Sequence, residues 1–459
     1  MSRRFLITLW PFTGHLLPQI AIALALRERG HEVAFYSGEA VRATVEEHGF
    51  PFFAFDRLDQ ERGFASMRLV DTGDRRGRPG GGRLMPILRD WLVETVPDQV
   101  NDVLAVIEAW RPDAIATDLS LWGCVAVLPE LTSVPVALSS TFMGPLIPGP
   151  DAPASGFGLR PPRGAVGRRI HAGLTAVTEL AGTPLRRRLD QVRAGFGLGP
   201  LGESVNRHTA RLPLYLVGSI PELDYGRADL PPSVHYVGNC IWYPDRDSSE
   251  AQTTAQWLEG IPSGRPWVHV CESTLAFGEP FLLRAAVEAL AGEPVELIVA
   301  VGAHRDPAAP GFDVTAPNVH VTRWVHHGEL LPRCAAMITA GGKATVLAAA
   351  EAGVPMAVVP TTWDKPDNAR RVTEAGIGLR LSARACTPER LRASVRRLLE
   401  EPGYRAASRR MADRLCRAPG PPRAAELLEG LAGAHDGGVA GVAAGPASRS
   451  REPITVRDA

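Results

Sequence analysis

Short apolar runs of strand length alternate with longer amphipathic stretches along most of the chain. "FLITLW" (5–10) is followed by the turn "PFTGH", by "LLPQIAIALALRERG" at helical spacing with a terminal Gly30, and then by "HEVAFYS". Continuous apolar runs suit strands buried on both faces, and a glycine closes a helix because it accepts left-handed backbone. The alternation continues through "PDAIATD" (112–118), "VPVALSS" (134–140) and "LPLYLVGS" (212–219), which predicts a parallel sheet with helices on both faces. A second series follows: "PWVHVCES" (266–273), "VELIVAVG" (295–302), "NVHVTRW" (318–324), "AAMITAGG" (335–342) and "PMAVVP" (355–360). Between its strands lie the helical stretches "PFLLRAAVEALAG", "KATVLAAAEAG" and "DNARRVTEAG".

Breaks in this rhythm divide the chain. Residues 71–83, rich in Gly and Arg, read as a mobile loop. The Pro- and Gly-rich stretch 144–166 is long enough to be functional or disordered. Residues 243–255, "YPDRDSSEAQTTA", read as a polar linker. The expected layout is an α/β domain over 1–242, a second over 256–415, a helix at 416–433 returning to the first, and a disordered tail at 434–459. A length of 459 residues fits two cores better than one. Two doubly wound domains joined in this way face each other across a cleft, where a ligand sits.

Composition narrows the class. With 45% hydrophobic and 22% charged residues the chain has the balance of a soluble globular enzyme. Its 50 basic residues cancel its 50 acidic ones, so no global field draws it to nucleic acid or anionic lipid. The apolar N-terminal run is broken by Pro11, Gly14, His15 and Pro18, unlike a signal peptide, and no long apolar run suggests a membrane span. A cytoplasmic protein is expected. Six cysteines occur without a CxxC pair or metal-ligand spacing, so they read as small buried hydrophobes and no metal site is expected. One oddity remains: among 50 basic residues only Lys343 and Lys365 are lysines, and both lie in one short stretch.

That stretch carries candidate chemistry. "TAGGKATVLAAAEAG" leaves an apolar strand through paired glycines and opens a helix, whose free amides and dipole make an anion site. It matches neither a Walker A loop nor GxGxxG. Further on, "GVP" (353–355) and "TTWDKPDNARRVTEAGIG" follow in tight order. Taken together, Trp324, Gly341-Gly342, Thr345, Gly353-Val354-Pro355, Asp364 and Asn368-Ala369 resemble the donor motif of family 1 glycosyltransferases of the GT-B fold. The N-terminal "WPFTGHLLP" resembles that family's acceptor loop, and "AIATDLSLWG" (114–123) the segment supplying an aspartate. The resemblance spans roughly residues 5–430.

It implies a GT-B fold and an inverting, metal-independent transfer from a nucleotide sugar, which is a substrate, so no cofactor is expected. His15 would be the base and Asp118 its partner. The donor would meet Ser273, Thr274, Trp324, Val325, Ala340, Gly341, Gly342, Lys343, Thr345, Trp363, Asp364, Lys365 and Asn368. The acceptor, a small apolar aglycone, would meet Trp10, Phe12, Trp122, Phe142 and Met143. A monomer or homodimer is expected. The motif is not complete: Ala340 stands where the family has histidine, Ala344 where it has glycine, Ala348 where a glutamate binds ribose, and Lys365 where a glutamine reads the sugar. His326 and His327 replace its proline and glutamine. These departures suit thymidine diphosphate over uridine diphosphate and a deoxy- or modified sugar, with the two lysines returning charge. Loss of catalysis, leaving an accessory binding protein, and sugar-nucleotide epimerisation are the rival readings.

Overall fold

The computed structural model describes residues 2–71, 84–243, 248–272, 279–302, 305–308, 312 and 316–438. The loop expected at 71–83 and the tail expected at 434–459 therefore fall mostly outside the described residues. Two parallel sheets organise the chain. The first contains β1 (Arg4–Thr8), β2 (Glu32–Ser37), β3 (Phe52–Ala54), β4 (Ala114–Thr117), β5 (Val136–Ser140), β6 (Leu214–Val217) and β7 (Val234–Tyr236). Its order is β3-β2-β1-β4-β5-β6-β7. The second contains β8 (Trp267–Cys271), β9 (Glu296–Ala300), β10 (Val319–Thr322), β11 (Cys334–Thr339), β12 (Met356–Val358) and β13 (Gly378–Arg380), ordered β10-β9-β8-β11-β12-β13.

Each sheet is thus wound outward in two directions from one adjacent pair, β1 with β4 and β8 with β11. At such a pair the connections leave in opposite directions and open a crevice beyond the carboxyl ends. The central strands are apolar on both faces and buried, as their sequences require.

Some elements depart from the sequence reading. The first strand stops at Thr8, and the helix begins at Thr13, so His15 lies inside its first turn. The stretch read as a polar linker contains most of the helix Ser249–Glu259. Ser248 caps it by accepting from the Ala251 N–H, and Ala251, Thr254 and Leu258 bury one face. The last helix runs on to Gly438, with Ala424, Ala425, Leu428 and Ala432 packed among the first domain's Phe5, Ile7 and Ile20.

The domains meet over a continuous seam. Met143, Ile220 and Leu223 of the first half share an apolar cluster with Val346, Leu347 and Val372 of the second. Around it, the Arg371 guanidinium donates to the buried Asp224 carboxylate at 3.0 Å and lies 4.6 Å over the Tyr225 ring. Asp367 accepts from the Gly156 and Gly158 amides at 2.6 and 2.7 Å, which pins the 144–166 insertion to the second domain. Gly158 has φ +59°, and a Cβ there would lie 2.4 Å from the Pro366 carbonyl oxygen, so no larger residue allows this approach.

Breaking a buried pair strands the surviving charge, at a cost of about 3–5 kcal/mol. Asp224→Ala should lose stability of that order in urea unfolding, and the double variant Asp224→Leu/Arg371→Met should regain most of it. A loss below about 1 kcal/mol in the single variant would show that the pair does not hold the seam.

Candidate active site

Parallel pairing of β1 with β4 sets Thr8 opposite Thr117, so residues 9–15 and Asp118 leave the sheet side by side. Asp118 is fully buried, and its carboxylate accepts from the Trp10 N–H at 3.1 Å, the Ser120 N–H at 2.7 Å and the Ser120 hydroxyl. Its remaining contact is His15, with Nδ1 2.9 Å from Oδ2. A carboxylate so placed holds the proton on Nδ1 and leaves the lone pair on Nε2. The His15 side chain is 21% exposed, the access that a base needs.

An aromatic wall adjoins this pair. Phe12 stands edge-on to His15 at 5.3 Å and to Phe64 at 5.3 Å, and Trp91 lies 5.9 Å from both Trp10 and Phe12. Trp363 completes it from the other domain, with its ring 6.0 Å from Trp91. Trp363 has φ +60°, a region that bulky residues adopt only when the surroundings enforce it, and this conformation carries its ring across the seam. Trp363, expected on the donor, thus sits against the acceptor half. Trp10 and Phe12 are fully buried, so Trp10 serves through packing and its peptide N–H rather than as an open acceptor surface. Met143 lies in the apolar seam, Phe142 packs against the core of the first domain, and Trp122 is half-buried in the short helix Trp122–Ala126. Trp91 and Phe64 were missed: their stretches show only helical apolar spacing, which does not separate a site wall from a core.

The second switch pair builds the Gly-Gly turn. Gly341, at φ +89°, has Val358 2.7 Å from where a Cβ would be, so glycine is required; Gly342 caps the helix Lys343–Glu351. The Asn368 amide donates to the Gly341 carbonyl at 2.9 Å and to Asp364 at 2.8 Å, which explains why aspartate and asparagine stand one helical turn apart. Burial raises the Asp364 carboxyl above its ordinary range. Ala340 and Val325 are buried, and Thr345 lies in the first turn of the helix that Gly342 caps. Trp324 is 47% exposed, an open face of the kind on which a base stacks. Ser273 and Thr274 lie outside the described residues.

Both lysines have partners within the chain. Lys343 is buried and its ammonium donates to the Ser140 carbonyl at 2.9 Å, across the seam. Lys365 donates to Thr361 at 3.1 Å. The 144–166 insertion borders a cavity of about 170 Å³ at the seam, between Ile147, Ala154, Thr178, Asp367 and Arg371.

Two α/β domains of this topology, a His–Asp pair on one switch point and a Gly-Gly anion turn on the other define a GT-B nucleotide-sugar glycosyltransferase. The chain belongs to the natural-product glycosyltransferases of this fold. Residues 285–431 match the C-terminal domain of the erythromycin biosynthesis protein CIII-like family. The chain is 32% identical over 434 residues to 4'-demethylrebeccamycin synthase of Lentzea aerocolonigenes, covering 94% of this chain and 100% of that one. Among solved structures, the glycotransferase of kitacinnamycin is similar in fold, with TM-score 0.72, 21% identity, and 94% and 99% of the two chains covered. Spinosyn rhamnosyltransferase SpnG complexed with thymidine diphosphate aligns with TM-score 0.66 at 24% identity, over 93% and 100%. Among the described residues no helix is long and apolar enough to cross a membrane.

Burial lowers Lys343 to about 8. Between that value and the ordinary lysine range the unfolded chain binds the proton and the folded chain does not, so stability rises with pH through this window. Comparing urea unfolding at pH 7 and pH 10, the wild type should gain more than Lys343→Met. Equal gains would remove Lys343 as the titrating group.

Proposed function

We propose that the enzyme transfers a deoxy- or modified sugar from a thymidine-diphosphate donor, favoured over uridine diphosphate, to a small apolar aglycone, inverting the anomeric centre without a metal in the chemistry. The observation that carries this reading is the 2.9 Å contact of His15 with a buried, otherwise saturated Asp118 beside an aromatic wall. Nε2 of His15 takes the acceptor's proton as the acceptor atom attacks the anomeric carbon. The bond to the diphosphate oxygen breaks, and its electron pair leaves with the nucleotide. Asp118 stabilises the resulting imidazolium, while the helix opening at Gly342 and the Thr345 hydroxyl receive the developing negative charge. One displacement from the face opposite the leaving group gives inversion.

The donor preference is supported by what surrounds the ribose position. Ala348, where the family glutamate would stand, is buried and has no polar group to offer a 2′-hydroxyl. Glu351, one turn along, accepts from Asn239 at 2.8 Å and is already engaged. A solved structure of similar fold is a rhamnosyltransferase complexed with thymidine diphosphate, which fits the same reading. The partly buried rings of Phe64 and Trp363, backed by the buried Phe12 and Trp91, suit a flat or apolar aglycone. The enzyme works in the cytoplasm as a monomer or homodimer.

The test offers thymidine- and uridine-diphosphate sugars with a panel of apolar phenols and indoles, and reads glycoside and free nucleotide. Inverted glycoside with faster release from thymidine donors is expected. Stronger stabilisation by uridine diphosphate in a thermal-shift titration would overturn the donor preference. Nucleotide release without any acceptor, with an altered sugar, would establish an epimerase instead.

The base assignment has its own check. His15→Ala should nearly abolish turnover with donor affinity unchanged. Asp118→Asn, which exchanges the tautomer while keeping the shape, should cut kcat by roughly 10³–10⁴. Turnover within about tenfold of wild type in either variant would refute the assigned roles.

A further inference from the structure

We propose that His269, Cys271 and His327 form a binding site for one Zn²⁺ ion that braces the donor pocket. His269 and Cys271 are two residues apart on β8, so the strand's pleat presents both on one face. His327 opens the short helix His327–Leu330 that follows Trp324, and its ring centroid lies 5.3 Å from that of His269. One donor atom from each residue lies within 4.8 Å of the other two.

His269 supplies the independent sign of a ligand. Its side chain is fully buried, and Nδ1 lies 3.0 Å from the Ile298 carbonyl oxygen, which fixes the proton on Nδ1. Nε2 then carries a lone pair, is buried, and has no hydrogen-bond partner. A buried acceptor without a partner is costly, and a metal ion satisfies it. A backbone carbonyl on the far nitrogen is the usual support of a metal-bound histidine. The other two donors complete an N2S set without carboxylates, the chemistry that selects zinc over magnesium or calcium. Cys271 releases its thiol proton to solvent on binding, as thiolate ligation requires. Zinc–nitrogen and zinc–sulfur bonds place tetrahedral ligand atoms roughly 3.5 Å apart, so the longest edge closes by about 1 Å through side-chain torsions. The fourth position is left to water or a small ligand.

The ion ties the end of β8 to the segment that presents Trp324. It acts as a brace on the donor half, away from His15 and Asp118, and is independent of the transfer mechanism proposed above.

The test strips the full-length protein with a chelator and titrates it with Co²⁺ as a coloured surrogate. Saturation at one equivalent is expected, with a thiolate-to-cobalt charge-transfer band and tetrahedral ligand-field bands that one equivalent of Zn²⁺ abolishes. Cys271→Ser should lose the charge-transfer band, Cys240→Ser should keep it, and His269→Gln should weaken binding by more than the about tenfold typical of an outer-shell loss. Elemental analysis of the reconstituted wild type after gel filtration should find one zinc per chain, a result that does not depend on the folding of any variant. No stoichiometric metal in the wild type, or a charge-transfer band that survives Cys271→Ser, overturns the proposal.

Discussion

The chemistry of this enzyme depends on one constraint, that adjacent parallel strands cannot be joined by a hairpin. Each connection must cross a face of the sheet, and where two connections diverge, the loops beyond the strand ends part. The chain uses this twice. At β1 and β4 the gap receives the "WPFTGH" loop and Asp118; at β8 and β11 it receives the Gly-Gly turn. Because the Thr8–Thr117 register fixes where both loops emerge, Asp118 can be saturated by local donors and still present one oxygen to His15. The imidazole is held by a group that has little freedom to rearrange, which is what preorganised proton transfer requires.

The seam turns two half-sites into one. Its apolar part supplies area, but its polar part supplies registry: Arg371 with Asp224, and Asp367 with the amides of Gly156 and Gly158, leave few alternative dockings. Trp363 shows the consequence for function. Its left-handed backbone, just before the helix that carries Asp367 and Arg371, swings an aromatic ring of the donor domain onto Trp91 of the acceptor domain. A residue that the donor motif would claim therefore packs against the aromatic cluster beside His15.

Much of this was legible in the chain. Strand-length apolar runs gave the parallel sheets, and the Gly-Gly turn with the helix it opens was legible because backbone turns and helix starts are encoded by neighbouring residues, whereas a nucleotide role for this half was readable only through resemblance. The His15–Asp118 pairing was legible only through resemblance, since a contact between residues so far apart depends on which strands are adjacent. Side-chain direction was the least legible. Trp10 and Phe12, read as open acceptor contacts, are buried by the segment that carries Phe64 and by the helix that carries Trp91. The "linker" at 243–255 hid a helix because its start is set by one serine cap and its buried face by small residues such as Ala251 and Thr254. The proposed metal set showed no local spacing because His327 opens a separate helix far along the chain from His269 and Cys271.

The two lysines of an arginine-rich chain now have a physical setting. Lys343 fills a slot in which its ammonium lies 3.2 Å from where a Gly218 Cβ would be, and its partner is the neutral Ser140 carbonyl. A guanidinium is broader, always charged and suited to a carboxylate, whereas an ammonium is compact and can shed its proton when buried. Arginine accordingly appears at 371, where Asp224 offers a full counter-charge, and lysine at 343, where the seam offers only a dipole.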